Sequence, residues 1–166
     1  MGVINVTPDS FSDGGRFLAS ERALAEARRQ LSRGADVLDL GAQSTRPGAV
    51  EVGAEEELRR LLPALKSIRQ RCPEALISID TFLAPVAAKA LEAGANWIND
   101  VSSGRRDPDL LRVVADAGCP VVLMHSRGDS QTMDQLTTYA DVVADVKEAL
   151  LAVSYTHLTL PTSPKV

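Results

Sequence analysis

The sequence has few of the features that mark membrane, nucleic-acid-binding, secreted or metal-cluster proteins. Its two cysteines, Cys72 and Cys119, belong to no C-x-x-C pair and to no metal-binding spacing, so we expect reduced thiols of a cytoplasmic protein. The formal net charge of -4 provides no basic surface for nucleic acid or for a membrane. No apolar run approaches the roughly 20 residues of a membrane-spanning helix, and no basic segment precedes an apolar one at the start. The sequence therefore predicts a cytoplasmic protein without a signal peptide.

Aromatic residues are scarce, and the common nucleotide-binding motifs are missing. Aromatics make up 4% of the chain and apolar residues 45%, so the core must consist mainly of Ala, Leu and Val. Neither G-x-G-x-x-G nor G-x-x-x-x-G-K-[ST] occurs, which argues against a dinucleotide site or a P-loop. His125 is the only histidine before Ser154, so a histidine metal site or a Ser-His-Asp triad has little support.

Short apolar runs alternate with helical patterns along most of the chain. Five runs too short for helices are typical of buried strands: 2–6, 36–40, 75–79, 96–101 and 120–124. Stretches with helical periodicity follow them, at 20–33, 55–70, 84–93, 107–117 and 139–152. Gly34, Gly94 and Gly118 each end a helix shortly before a strand. The alternation predicts a parallel α/β sheet, and the continuously apolar strands predict that it is covered on both faces.

Three local signals predict how the helices begin or bend. Ser20 is a candidate N-cap for the first helix. Asp107 is a candidate N-cap for the fourth, with Pro108 as the first helical residue. Pro63 lies inside the second helical stretch, and we expect it to kink or restart that helix.

A polar residue stands at the carboxyl end of every predicted strand. These residues are Asn5, Asp39, Asp80, Asn99 with Asp100, and His125. In a (β/α)8 barrel the active site is built at this face from the ends of several strands, whereas an open doubly wound sheet concentrates it at one switch point. The pattern therefore favours α/β architecture as a partial (β/α)8 TIM barrel, about the first five βα units, because five strands cannot close a barrel.

The end of the sequence departs from this rhythm. From Ser154, SYTHLTLPTSPKV supplies Thr, Ser and Pro where a sixth strand is expected. The segment is either a flexible native tail or foreign sequence similar to translated adapter or vector read-through, and we favour the second interpretation. We therefore expect a truncated barrel domain at 1–152 and a foreign or disordered tail at 153–166.

Two loops that follow predicted strands carry candidate functional groups. In NVTPDSFSDGG (5–15), Asn5 offers a carbonyl oxygen suited to Mg²⁺, and Asp13 with its following glycines suits a mobile loop over a substrate. The alternative interpretation is that the 5–15 segment is an ordinary solvated turn. In GAQSTRPG (41–48), Thr45 and Arg46 place a hydroxyl beside a guanidinium, which can hold a phosphate or a carboxylate or can simply lie on the surface.

The later strand ends offer groups that can recognise a flat heterocycle. Asp80 and Asn99 place a carboxylate and a carboxamide on neighbouring strands, where they can read a donor and acceptor edge. The alternative is that Asp80 and Asp100 cap the helices that follow. Met124 can pack on a ring face or serve as an ordinary core methionine.

Five motifs in this order resemble dihydropteroate synthase: MGVINVTPDSFSDGGRF, GADVLDLGAQSTRPGA, ISIDT, AGANWINDVSS and PVVLMHSRGD. The resemblance runs from Met1 to about Leu151. It implies a (β/α)8 barrel and a transferase of folate biosynthesis that joins 6-hydroxymethyl-7,8-dihydropterin diphosphate to 4-aminobenzoate and releases pyrophosphate. It further implies that sulfonamides compete for the aminobenzoate site, that the partners are these small molecules rather than nucleic acid or membrane, and that the intact protein is a homodimer.

The resemblance assigns the metal and loop residues as follows. Asn5 would bind the Mg²⁺ that carries the departing pyrophosphate. Asp13 would lie on a first mobile loop over the reacting centre. Thr45 and Arg46 would lie on a second loop, near the pyrophosphate and the aminobenzoate.

The resemblance also implies a pterin pocket lined by Asp80 and Asn99, with Met124 on its wall. Asp13, Arg46 and Asp80 are then the candidate catalytic residues. The implied reaction is SN1-like: pyrophosphate leaves first, the electron-rich pterin stabilises the cation, and the amine attacks. Such chemistry needs no protein nucleophile, which agrees with the lack of one in the sequence.

The chain departs from the family pattern in two respects. Ala42 and Gln43 stand where the family frequently has GGESTRPG, which removes a negative charge and some backbone freedom. The later family motifs are not represented, so we expect the chain to be inactive and poorly folded on its own.

Three other interpretations remain open. The methyltetrahydrofolate-binding domain of a corrinoid methyltransferase would share the Asp and Asn contacts but lack TPDSFSDGG and STRPG. The chain could also be a non-catalytic truncated product or the N-terminal portion of an assembly partner. Finally, the family occurs fused behind a hydroxymethyldihydropterin pyrophosphokinase domain.

Overall fold

A computed structural model describes residues 1–7, 15–43, 51–128 and 132–158. Strands and helices alternate along it: β1 (Gly2–Asn5), α1 (Gly15–Ser32), β2 (Val37–Gly41), α2 (Ala54–Arg71), β3 (Leu76–Asp80), α3 (Ala84–Glu92), β4 (Trp97–Asp100), α4 (Asp109–Ala117), β5 (Val121–Leu123) and α5 (Val142–Leu158). A short 3-10 helix at Met133–Gln135 precedes α5. All five predicted strands and all five predicted helices are therefore present.

The strands form one parallel sheet in the order β1-β2-β3-β4-β5. Each strand pairs with the next one in the chain, and a helix connects each pair. This is the arrangement of consecutive βα units in a (β/α)8 barrel, and it differs from a doubly wound sheet, in which the strand order reverses. The predicted partial barrel is confirmed.

One face of the sheet is buried under the helices. Its side chains are almost inaccessible to solvent: Ile4, Leu38, Leu40, Ile77, Ile79 and Ile98. They pack against apolar side chains of α1 to α4, among them Ala27, Leu65, Val86 and Leu111. Because a strand alternates its side chains between the two faces, the residues between these core positions point to the opposite face.

That opposite face, called the uncovered face below, is exposed toward its edges over the described residues, whereas Asp39 and Ser78 near its middle are buried. Val3 is 57% exposed, Leu76 41%, Val122 36% and Met124 43%. The expectation that both faces are covered was wrong for this part of the chain. The strands carry some apolar residues, such as Val3 and Val122, on this second face too, because it corresponds to the interior of a barrel, which further strands fill with their own side chains.

The predicted N-cap at Ser20 and the predicted restart at Pro63 were wrong, a kink at Pro63 stays a prediction, and burial explains why α2 continues. Helix α1 begins at Gly15, so Ser20 lies within the helix and is not its N-cap. Helix α2 runs without interruption through Pro63. A proline inside a helix costs about 3 kcal/mol, but α2 buries Leu61, Leu65 and Ile68 completely, and each such side chain contributes roughly 1.5–3 kcal/mol.

The other helix ends follow the prediction closely. Gly34, Gly94 and Gly118 all have positive φ (90°, 100° and 62°), which glycine adopts without strain. Helix α4 begins at Asp109, one residue after the expected start, and Pro108 takes the cap position. The Asp107 carboxylate nevertheless accepts hydrogen bonds from two helix starts, at 3.1 Å from the Asp109 N–H and 2.7 Å from the Ala84 N–H.

Helix α5 continues to Leu158, beyond the expected domain boundary at residue 152. Residues 159–166 lie outside the described part of the chain. The foreign or disordered tail at 153–166 therefore stays a prediction.

Both cysteines are free thiols and half-buried, as expected. Within the described ranges, no helix is long and apolar enough to cross a membrane.

Candidate active site

Four strand ends align in one row at the carboxyl edge of the sheet. Asn5 is in register with Gly41, Gly41 with Asp80, and Asp80 with Asn99. All four residues lie on the uncovered face. The sheet register therefore brings the three sequence-predicted residues into one row. Asp80 and Asn99 lie on neighbouring strands, and Asn5 lies on the far side of Gly41 of β2.

Gly41 leaves a gap in the middle of this row. A Cβ atom placed on Gly41 would lie 3.4 Å from Asp80 Oδ2 and 3.6 Å from Asn5 Oδ1. The two side-chain oxygens thus flank the same small space, which any larger residue at position 41 would fill. A glycine inside a strand frequently marks such a close approach of a ligand or another group.

A second polar layer lies one row below, toward the amino ends of the strands. Asp39 is in register with Ser78, and both side chains are buried, with exposures of 4% and 0%. Asn99 Nδ2 donates a 3.1 Å hydrogen bond to Asp39 Oδ2. Asp39 Oδ1 is buried and accepts no hydrogen bond from the described residues. Asp39 therefore orients the Asn99 carboxamide and retains one unused acceptor.

Asp80 lies in a strongly acidic environment. Burial, followed by the negative charges of Asp39, Glu57 and Asp100, raises its pKa to about 7. A carboxyl group with this pKa exists in both protonation states near neutral pH, so it can accept or donate a hydrogen bond. Raised pKa values caused by burial and neighbouring charges are common at functional sites.

Asp100 and His125 have structural partners instead. The Asp100 carboxylate accepts hydrogen bonds from the Ser102 N–H (2.8 Å) and the Gly104 N–H (2.6 Å), so it stabilises the turn after β4. His125 Nε2 lies 3.2 Å from the Tyr139 hydroxyl. Asp100 and His125 thus make contacts within the loops around the site.

Met124 lies just beyond β5, on the uncovered face, and is 43% exposed. The Ser103 hydroxyl donates to the Met124 carbonyl (2.8 Å) and accepts from its N–H (3.0 Å), which ties the end of β5 to the loop after β4. Met124 is thus not a core methionine in the described structure, and its side chain is available to a ligand.

Three sequence-predicted residues, Asp13, Thr45 and Arg46, lie outside the described residues. The contacts on either side of the 44–50 segment are described, however. Gln43 Nε2 donates to Glu57 Oε2 at 3.0 Å, and the Val52 N–H donates to Gln43 Oε1 at 3.0 Å. Glu57 is a fully buried carboxylate on α2.

Sequence reasoning missed two of these features. Asp39 was noted as a polar strand end, but its bond to Asn99 depends on β2 and β4 lying on either side of β3, which only the strand order reveals. Glu57 lies among acidic residues at the start of α2 and resembles a surface glutamate in sequence. Its position on the same helix face as Leu61 and Leu65 was the available signal.

The residues present fit a weakly held Mg²⁺. Asn5 is exposed at the strand end, and its carbonyl oxygen borders the gap beside Gly41. Across the described residues, no three His, Cys, Asp or Glu side chains come together as a metal cage. One neutral oxygen at an open edge suits a Mg²⁺ that keeps most of its waters and shares phosphate oxygens with a substrate.

The chain consists of consecutive βα units with polar side chains at the carboxyl edge of the sheet. These features define a protein with barrel architecture. Its candidate site lies at the face where (β/α)8 barrels have their active sites. The family model of pterin binding enzymes matches residues 1–157. The chain belongs to this family of pterin binding enzymes.

Two known proteins illustrate the similarity in sequence. The chain is 45% identical over 148 residues to dihydropteroate synthase of Synechocystis, covering 89% of this chain and 51% of that protein. It is 48% identical over 154 residues to the mitochondrial folate synthesis bifunctional protein of Arabidopsis thaliana, covering 90% of this chain and 28% of that protein. The chain thus spans about half the length of the single-function relative.

Solved structures show the same fold. Dihydropteroate synthase of Yersinia pestis, in complex with a sulfonamide drug, aligns with a TM-score of 0.87 and 39% identity, covering 98% of this chain and 58% of that one. The Xanthomonas albilineans dihydropteroate synthase with 4-aminobenzoic acid aligns with a TM-score of 0.83 and 43% identity, covering 96% of this chain and 55% of that one.

Proposed function

We propose that this chain forms the pterin-binding half of a dihydropteroate synthase. The observation that carries the proposal is the row of Asn5, Asp80 and Asn99 on the uncovered face, in a chain similar to enzymes of that name. The reaction would join 6-hydroxymethyl-7,8-dihydropterin diphosphate and 4-aminobenzoate to give 7,8-dihydropteroate and pyrophosphate.

Asp80 and Asn99 would recognise the pterin edge. The bond from Asn99 to Asp39 uses one amide hydrogen, so the Asn99 carbonyl oxygen and second amide hydrogen remain for the ligand. Asp80, with a pKa of about 7, can accept from a ring N–H when ionised. Their strands hold both groups in place before the substrate arrives, which lowers the entropic cost of orienting it.

The proposed reaction needs charge stabilisation more than a nucleophile. The bond between the pterin methylene carbon and the diphosphate oxygen breaks, and the electron pair leaves with the diphosphate. The carboxylates of Asp39 and Asp80 lie beside the pterin site, where negative charge favours the resulting cation. The amine of 4-aminobenzoate then bonds to the methylene carbon and releases one proton to solvent water.

Asn5 would hold Mg²⁺, which supplies charge neutralisation to the leaving diphosphate when bound. Asp13, Thr45 and Arg46 belong to the same proposal through the sequence resemblance: Asp13 on a loop over the reacting centre, and Thr45 and Arg46 near the pyrophosphate and aminobenzoate. The proposal also includes a homodimeric, cytoplasmic protein and competition by sulfonamides.

The test uses a chimera in which residues 1–152 replace the matching part of the Escherichia coli dihydropteroate synthase, which is 44% identical over 146 residues. We expect the chimera to form dihydropteroate and the 166-residue chain alone to form none. Asn5→Ala and Asp80→Ala should each lower kcat/KM by roughly 100-fold or more, as expected for groups that act on the transition state. Unchanged rates in both variants would refute the assigned roles.

A further inference from the structure

The turn that follows β4 is held in place by buried contacts. The Asp100 carboxylate, which is fully buried, accepts from the Ser102 N–H at 2.8 Å and from the Gly104 N–H at 2.6 Å. A Cβ atom placed on Gly104 would lie 2.5 Å from Leu111 Cδ1, so the turn packs closely on α4. Between these contacts lies Ser103, whose φ is 52°, and among the described residues it is the only non-glycine residue with a positive φ. The turn thus keeps Ser103 in a conformation that serine rarely adopts.

Met124 lies one residue beyond the point where β5 pairs with β4. The pairing of the two strands ends at Asp100 and Leu123. The Ile98 N–H donates to the Pro120 carbonyl at 3.2 Å, and alternate residues of a parallel strand bond to the same neighbouring strand. Met124, four residues after Pro120, is therefore the position whose N–H and carbonyl would form the next hydrogen bonds to β4.

The Ser103 hydroxyl makes both of these hydrogen bonds in place of β4. It accepts from the Met124 N–H at 3.0 Å and donates to the Met124 carbonyl at 2.8 Å. The Asp100 carbonyl, which would accept from Met124 in a longer strand pair, accepts from the Ser103 N–H at 3.1 Å. Because a hydroxyl both donates and accepts, Ser103 alone satisfies the two backbone groups of Met124. It therefore fixes the backbone from which the Met124 side chain projects.

We propose that Ser103 is a positioning residue of the candidate site, whose hydroxyl holds the Met124 backbone so that the Met124 side chain faces the ligand beside Asn99. Asn99 is in register with Val122, two residues before Met124 on the same face. The proposal rests on the proposed function, in which the thioether of Met124 packs on the pterin ring. The Met124 side chain is 43% exposed, so its direction depends more on its backbone than on packing.

A second contact joins the same turn to the chain after Met124. The Arg105 guanidinium donates to the carbonyl and the hydroxyl of Ser126, and Arg105 Nε donates to the Ser102 carbonyl at 2.9 Å. These bonds keep the turn beside residue 126, but they do not involve the N–H or the carbonyl of Met124. Removal of the Ser103 hydroxyl should therefore loosen Met124 locally while the two loops stay in contact.

The experiment compares Ser103→Ala, Ser103→Gly and Ser102→Ala, both in the 166-residue chain and in the chimera with the Escherichia coli enzyme. Ser102→Ala is the matched control, because Ser102 is a neighbouring and similarly buried serine whose hydroxyl accepts from the Arg106 N–H at 3.3 Å. The proteins carry nitrogen-15-labelled methionine, and the Met124 amide signal is identified by its loss in Met124→Leu. The readout is the hydrogen-exchange protection of that amide.

We expect the protection of the Met124 amide to fall about tenfold or more in S103A and S103G, as for a lost hydrogen bond. In S102A it should stay within about twofold of the unsubstituted protein. S103G should also unfold at a higher urea concentration than S103A, because glycine adopts a positive φ without strain. The protection of Met124 would then follow the hydroxyl, whereas global stability would follow the backbone, and S103G keeps the test decisive where S103A unfolds.

Catalysis by the chimera provides a readout that a purely structural role would not move. S103G should raise the KM for the pterin diphosphate by up to about tenfold, the size of a lost contact between sulfur and an aromatic ring. The kcat should stay within about twofold, because Met124 takes no part in the bonds that form or break. Combining Ser103→Gly with Met124→Ala should raise KM no further than Met124→Ala alone, since Ser103 acts through Met124.

Unchanged Met124 protection in both Ser103 variants, or an equal loss of protection in S102A, would overturn the proposal. In a chimera that turns over the pterin, a lost protection with an unchanged KM would also overturn it, and so would additive effects in the double variant. The exchange data test the hold of Ser103 on Met124 even if the chimera forms no product. A failure of the proposed function is thereby distinguished from a failure of this inference.

Discussion

Asn99 on β4 donates a 3.1 Å hydrogen bond to Asp39 on β2, across the intervening strand β3. The residue of β3 in register with Asp39 is Ser78, whose small side chain is completely buried. Ser78 leaves room for the two longer side chains to meet above the strand. The bond ties three strands together on the face that carries the candidate site, and it fixes which way the Asn99 carboxamide points.

The first prediction separates the charge of Asp39 from its hydrogen bond. Asp39→Asn keeps an acceptor for Asn99 but removes a negative charge near Asp80, so we expect the pKa of Asp80 to fall. Asp39→Ala leaves the Asn99 amide without its partner and should destabilise the chain by about 1–3 kcal/mol. Carbon-13 NMR titration of Asp80 and urea unfolding measure the two effects. An Asp80 pKa that is unchanged in Asp39→Asn would contradict the electrostatic account.

The second prediction concerns the pH dependence of stability. Because the pKa of Asp80 is raised to about 7, the folded chain holds a proton that the unfolded chain releases near pH 4. The contribution of Asp80 to the free energy of unfolding is therefore fully present below about pH 4, and it is lost as pH rises toward about 7. Asp80→Asn should be more stable than the unsubstituted chain at about pH 8 by on the order of 1–3 kcal/mol.

Urea unfolding at about pH 5 and about pH 8 tests this second prediction, since the two values lie on either side of the raised pKa. Asp109→Asn is the control, because Asp109 is an exposed carboxylate on α4 whose side chain is 72% accessible. The gain in the free energy of unfolding at about pH 8 should appear when Asp80 is substituted and not when Asp109 is substituted. Equal pH dependence in the Asp80→Asn variant and the unsubstituted chain would show that the Asp80 pKa is not raised.

The third prediction tests the gap beside Gly41. In Gly41→Ala the new Cβ would make ordinary contacts with Asp80 and Asn5, so stability should change by less than about 1 kcal/mol. Gly41→Val would fill the space between the two oxygens, and the chimera should lose at least about tenfold in kcat/KM, roughly the effect of misplacing reacting groups. Gly53→Ala, where a Cβ meets no atom within 4 Å, serves as the control. Full activity of Gly41→Val would exclude this gap from the site.

The fourth prediction concerns a residue at the opposite end of the sheet. The Arg69 guanidinium donates hydrogen bonds to the carbonyl groups of Pro73, Ala75 and Gly94 and to Asn96 Oδ1. Arg69→Met should destabilise the chain by roughly 2–4 kcal/mol, because several bonds to a charged donor are lost together. The Asp80 pKa should not change in the folded fraction. A large shift in that pKa would show that the two ends of the sheet are coupled.

The positions of the strand ends could be predicted because they depend on local signals. The apolar runs before them place Asp80 and Asn99 at strand ends, and Gly94 marks the end of the helix that precedes the strand of Asn99. The parallel order then follows from the alternation of strands and helices. Asn5, Asp80 and Asn99 lie together for these reasons.

The features that could not be predicted depend on contacts between distant parts of the chain. Pro63 is tolerated because α2 buries three large side chains, and their burial is not visible in the local pattern. Glu57 looks like a surface residue until Gln43 is found beside it. The bond between Asp39 and Asn99 depends on the order of three strands and on a serine between them.

Pterin binding to the chimera tests the central claim most directly. Titration calorimetry with 6-hydroxymethyl-7,8-dihydropterin diphosphate should give saturable binding, and Asp80→Ala and Asn99→Ala should each weaken it at least about tenfold, as for a lost hydrogen bond to a buried group. Asp109→Asn should bind like the unsubstituted chimera. Equal affinity in all four proteins would contradict the assignment of this row of strand ends as a pterin site.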